Sequence, residues 1–138
     1  MSHFAFRIVS SLVIALLCNA CSLPGLQRVK TVTINGQTDP VTYRYLQHLS
    51  KKIEIIGASR YPDMTKPITV KTYIDVEMVI NKYGKLVSAR LLTPSNNPDL
   101  DKQLMEIIHY SAPHPPLPDE LKLDRLIIQK RWQFVPRQ

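Results

Sequence analysis

The stretch Ile74-Asp75-Val76-Glu77-Met78-Val79-Ile80-Asn81-Lys82-Tyr83-Gly84-Lys85-Leu86-Val87-Ser88-Ala89-Arg90-Leu91 decides the fold. Ile74, Val76, Met78 and Ile80 share one parity, with Asp75, Glu77 and Asn81 on the other, which is the pattern of a half-buried strand. Asn81-Lys82-Tyr83-Gly84 supplies turn chemistry, and its glycine can take the left-handed backbone that closes many hairpin loops. Val87, Ala89 and Leu91 then alternate with Ser88 and Arg90. The spacing predicts two antiparallel strands joined by a tight loop.

Downstream, Pro94 ends the hairpin and Asn97 can cap a second helix. The first turn of that helix carries Pro98, Asp99 and Asp101, residues suited to the donor-rich helix start. Leu100, Leu104, Ile107, Ile108 and Ala112 form its expected buried stripe, with Asp101 and Lys102 on the wet side. Pro113-His114-Pro115-Pro116-Leu117-Pro118 cannot be helical, because each proline removes a donor and fixes its backbone, so it should form an extended, rigid strap. In the final segment, 126–134, Leu126, Ile128, Trp132 and Phe134 share a parity that Lys130 interrupts, while Gln129, Arg131 and Gln133 take the other face.

Upstream, Asp39-Pro40 gives a cap and first-turn pair, and Leu46, Leu49, Ile53 and Ile56 recur at helical spacing. The spacing predicts a helix over 40–56, with Gly57 as its stop. Residues 21–39 read as a tether with one marginal strand around Val32 and Ile34. Helix, two strands, helix, strand is an α+β order in which two helices cover one face of a small three-stranded antiparallel sheet. The domain is expected over 40–138.

The chain begins with a basic Arg7, no early acid, and an apolar run from Ile8 to Leu17 broken by Ser10 and Ser11. That is the n-region and h-region of a signal peptide, expected over 1–20. Roughly 20 apolar residues are needed to span a bilayer, and Asn19, Pro24 and Gly25 close this run early. Ala20 before Cys21 resembles the lipobox of bacterial lipoproteins, with Cys18 standing where such boxes usually carry leucine. The resemblance implies cleavage before Cys21 and a lipid on its sulfur. A plain cleaved signal and an uncleaved anchor remain the alternatives. Removal of 20 from 138 residues leaves 118, enough for one core. Of 18 Lys plus Arg only Arg7 leaves, so 17 bases against 11 acids give the mature chain a net +6. Such an excess favours anionic partners such as lipid headgroups, wall polymer or an acidic segment. The bases are scattered, and no nucleic-acid footprint is expected.

From about Tyr45 to Phe134 the order of motifs resembles the C-terminal domain of TonB, and more distantly that of TolA. The resemblance rests on Tyr45-Leu46, Ile53-Glu54, Ile56-Gly57, Tyr61-Pro62, the turn Tyr83-Gly84-Lys85-Leu86, and Leu100-Asp101. It continues through Ser111-Ala112 and the strap to Arg131-Trp132-Gln133-Phe134. It implies a domain that docks partners by adding their strand to a sheet edge, where free backbone groups give affinity with little demand on sequence. The last strand is the expected edge, with Leu126, Ile127, Gln129, Arg131 and Gln133 as partner-contact positions and Trp132 and Phe134 in the core. The resemblance implies envelope proteins as partners: receptors, motor or secretion components, or a second copy meeting edge to edge. Two features depart from TonB. No long proline-rich spacer precedes the domain, and Ala58 replaces the glutamine that TonB carries three residues before its Tyr-Pro.

Catalytic chemistry is not expected. His48, His109 and His114 lie too irregularly for a zinc cluster and read as surface or cap residues, and the Cys18–Cys21 pair has no second pair to complete a metal site. Asp119 and Glu120 are adjacent and point apart, which suits no acid–base pair across one bond. No phosphate loop, dinucleotide fingerprint or nucleophile elbow is present, and no cofactor is expected. The expected protein is a non-enzymatic envelope lipoprotein facing the periplasm, within a transport or secretion assembly. Ser22 after the lipidated cysteine points to the outer membrane, and peptidoglycan is a further candidate partner. The rival reading is a minimal TonB-like energy transducer with an uncleaved inner-membrane anchor.

Overall fold

The computed structural model describes residues 25–34 and 37–136. The signal segment and Cys21 lie outside the described residues. The elements run β1 (Val29–Thr33), α1 (Pro40–Arg60), β2 (Thr72–Asn81), β3 (Leu86–Thr93), α2 (Pro98–Ser111), a short 3-10 turn (Asp119–Leu121) and β4 (Arg125–Phe134). The four strands form one mixed sheet in the order β1-β4-β2-β3. Both helices contribute to the core that covers one face of this sheet.

The expected α+β class holds, but the sheet has four strands rather than three, and it is not wholly antiparallel. Its extra strand, β1, is the marginal strand expected around Val32 and Ile34 in the tether; it joins the sheet, running parallel to β4 from Val29↔Arg125 to Thr33↔Gln129. Val32 is buried there and Ile34 packs against the core. Two apolar side chains thus suffice to recruit a short strand whose backbone bonds are completed by β4.

The Asp39 carboxylate accepts from the Thr42 amide at 2.8 Å and the Thr42 hydroxyl at 2.6 Å, which caps α1, and it also takes the Lys30 ammonium of β1. Lys30 and the Thr42 donors hold its carboxyl well below the usual carboxylate range. The helix does not stop at Gly57; it continues to Arg60, and the Tyr61 amide donates to the Gly57 carbonyl at 2.9 Å. A Cβ on Gly57 would lie 3.3 Å from Ile107 Cδ1. Glycine therefore serves the close approach of α1 to α2 rather than helix termination.

Ile74, Val76, Met78 and Ile80 of β2 are fully buried, as their parity requires. Val87 of β3 is exposed, against expectation, and Leu86 is half-buried instead. A register shift explains this: Ile80 pairs with Leu86 and Val79 with Ser88, so Val87 is an extra residue in a bulge.

Asn97 caps α2 through the amides of Asp99 and Leu100 at 3.1 and 3.2 Å. Asp101, expected on the wet side, is buried and accepts from the Ser95 amide at 2.9 Å. Ala112 is the C-cap rather than part of the stripe, and Ser111 fills the inner position, its hydroxyl donating to the Ile108 carbonyl at 2.7 Å. The strap then crosses the hairpin turn. The His114 amide donates to Gly84 and the Leu117 amide to Lys82, at 2.9 and 3.0 Å. The Tyr45 hydroxyl donates to the Pro115 carbonyl at 2.9 Å, and burial raises that phenol to about 12. His114 lies inside, not at the surface: it is 4% exposed and neither ring nitrogen has a hydrogen-bond partner.

Candidate partner-docking edge

β4 is not the simple edge strand expected. On one side it pairs with β2 along its whole length, from Asn81↔Arg125 to Thr72↔Phe134. On the other, β1 covers 125–129. Of the expected contact positions, Leu126 is fully buried under the helices, and Ile127 and Gln129 are half-buried and occupied by Thr31 and Thr33 of β1. Arg131 and Gln133 are exposed. The sequence offered the marginal strand around Val32 and Ile34 but not its place: nothing in so short a segment says that it pairs with β4.

Beyond Gln129 the situation changes. The Ile34 amide donates to the Gln129 carbonyl at 3.0 Å, which closes the β1 ladder. Within a strand the N–H and C=O of every second residue point to the same side. Arg131 and Gln133 therefore direct their amides and carbonyls to the side β1 occupies further back, and residues 130–134 have no strand on that side among the described residues. The β4 edge is half closed and half open.

The open half has two unlike faces. On the face away from the helices, Arg131 grips Asp75 with two bonds of 2.8 and 2.9 Å. Beside this pair, Glu77 accepts from Arg90 at 2.8 Å and from the Gln129 side chain at 2.9 Å. Arg131 lowers the Asp75 carboxyl below its ordinary value, and Arg90 does the same for Glu77. On the helix-facing side, Trp132 is 8% exposed and Phe134 packs against the core, as their parity implied. Next to them opens a groove of about 390 Å³, lined among others by Gly57, Ala58, Tyr61, Met64, Leu104 and Ile107. The Tyr61 hydroxyl donates to Glu106 across its rim, which pushes the phenol up. Reading the sequence missed this groove; small residues at Gly57 and Ala58, one turn before Tyr61-Pro62, were its signal.

Lys130, the polar residue at a core parity, lies between β4 and α1. Its ammonium donates to Ser50 Oγ at 2.7 Å and sits 3.8 Å from the Trp132 ring centre, with Glu54 at 4.0 Å. Burial pulls its pKa down, and Glu54 partly opposes that. Among the described residues no three His, Cys, Asp or Glu side chains converge as a metal site, and no helix is long and apolar enough to cross a membrane.

The family model described as TonB C terminal matches residues 44–133. The chain belongs to that family. A search of curated proteins gave no match. The matched region begins inside α1 and ends within the open half of β4, so β1 lies outside it. TonB C-terminal domains act in the cell envelope, in energy transduction or protein interaction; receptors are among their partners, and they are not known as enzymes.

Proposed function

We propose that this TonB-family protein is an envelope lipoprotein adaptor that takes up a partner's strand along residues 130–134 of β4. The observation that carries the reading is the change in the edge at Gln129, beyond which the outward groups of Arg131 and Gln133 have no strand partner among the described residues. An added strand satisfies these groups and needs little sequence identity to do so. Its partner belongs to a transport or secretion assembly, or is a second copy of the chain joined edge to edge.

The lipid on Cys21 is the other half of the proposal. A short leader with the lipobox-like Ala20-Cys21 supports it, and Ser22 after that cysteine favours the outer membrane. A lipid at this position holds a domain at the membrane without a spanning helix, which favours an adaptor over a force transducer.

Proline substitution on the full-length protein tests the docking edge. Arg131→Pro and Gln133→Pro each remove one outward amide without breaking the β2 ladder. Loss of the partners that the parent captures from envelope extracts is the expected result. Capture of the same partners by both folded variants would overturn the assignment. Mass spectrometry of the membrane-extracted protein tests the anchor: a diacylated N-terminal Cys21 is expected, whereas a retained Met1 would leave the minimal transducer with an uncleaved anchor.

A further inference from the structure

We infer that the end of the domain opposite the open edge is a surface for anionic phospholipid headgroups, which turns the open half of β4 away from the membrane. The inference rests on the anchor reading above. Strand direction sets which segments share an end. β1 is parallel to β4 and β4 is antiparallel to β2, so the start of β1, the start of β4 and the hairpin turn after Asn81 share one end of the sheet. The Asp124 amide donates to the Arg28 carbonyl at 2.8 Å and the Lys82 amide to the Asp124 carbonyl at 2.9 Å, which ties these segments together. Phe134 and Thr72 mark the other end, about 30 Å away at the rise of an extended strand.

Cys21 precedes Gly25 by four residues, a reach of at most about 14 Å. A lipid on Cys21 therefore holds the turn end within roughly two Debye lengths of the headgroups at physiological salt. The chemistry of that end suits such a neighbour. Arg28 and Lys82 lie 3.7 and 3.9 Å from the Asp124 carboxylate and together outweigh it. At the same end, Lys85 closes the hairpin turn on the Asn81 amide, Lys122 comes two residues before Asp124 and Arg125 pairs with Asn81, and none of the three makes an ion pair among the described residues. Asp119 and Glu120 of the 3-10 turn are the opposing acids, and they leave the cations in excess. Leu26 is 95% exposed and Tyr83 73% exposed at the same end. An apolar residue and an amphipathic ring beside unpaired cations fit the water–headgroup boundary, where tyrosine gains from both phases.

The test uses the full-length protein with its native anchor, on vesicles of phosphatidylcholine alone or of phosphatidylcholine with phosphatidylglycerol. Amide hydrogen exchange is read by mass spectrometry. On the anionic vesicles the amides of 81–85 and 122–125 should slow while those of 131–133 keep their rates. Lys85→Gln and Lys122→Gln should each reduce the docked-to-free ratio roughly fivefold. Equal exchange at 81–85 on both vesicle types would overturn the inference, as would slowing by soluble wall fragments in place of anionic vesicles. Flotation with neutral vesicles reports the anchor separately. If the protein fails to float there, the anchor reading falls; slowing on anionic vesicles then still supports the surface, and its absence removes the surface as well.

Discussion

The His114 amide donates to the Gly84 carbonyl at 2.9 Å, and a Cβ built on Gly84 would stand 2.0 Å from the His114 carbonyl oxygen. The strap therefore lies directly on the backbone of the hairpin turn, with no room for a side chain between them. Gly84 also has φ +84, the left-handed region that residues with a Cβ enter at a cost. Strap and hairpin belong to separate parts of the sequence, and this single approach locks one to the other.

Gly84→Ala should destabilise the domain by about 3 kcal/mol, since backbone strain and a collision with main-chain atoms act together. Urea unfolding measures it. A loss under 1 kcal/mol would mean the strap moves aside cheaply.

His114 should make stability depend on pH in mildly acidic solution. Burial, with a smaller contribution from nearby Lys52, lowers its pKa from 6.5 to about 4. The unfolded chain thus binds a proton that the folded chain refuses, so the contribution is complete above about pH 6.5 and is lost as pH falls toward 4. A decrease on the order of 1–2 kcal/mol by pH 5 is expected. His114→Phe should flatten the profile between pH 6.5 and 5. An unchanged slope in that folded variant would assign the effect to other groups.

Lys130→Met should leave stability within about 1 kcal/mol of the parent. It keeps the stem that packs beneath α1 and removes a charge that burial already disfavours. Lys130→Glu, which sets a carboxylate near Glu54, should cost more than about 2 kcal/mol. Thermal melts of the two proteins distinguish the cases; equal losses would show that the ammonium is itself required.

Arg131 separates docking from folding. Its pair with Asp75 is bidentate but exposed, so Arg131→Ala should cost less than about 1 kcal/mol of stability. Arg131→Pro should in addition weaken strand uptake at least about tenfold through loss of one outward hydrogen bond. If the alanine and proline variants bind a partner peptide equally well, main-chain pairing at this position is excluded.

What could be read in the sequence were the elements whose pattern repeats locally. The alternation of Ile74, Val76, Met78 and Ile80, the Asn97-Pro98 cap and the proline strap each carry their own periodicity or backbone constraint. Motif order from about Tyr45 to Phe134 then pointed to the family whose model matches 44–133. Tertiary structure alone decided the features that depend on contacts between distant segments. Gly57 reads as a helix stop until Ile107 is seen against it; Val87 reads as core until the bulge turns Leu86 inward. The edge itself was decided in the same way. Parity along β4 shows which side chains face the helices, but it cannot say which backbone groups are already bonded. That depends on where β1 pairs, which its short alternating pattern does not tell: it closes β4 as far as Gln129 and, among the described residues, leaves Arg131 and Gln133 open.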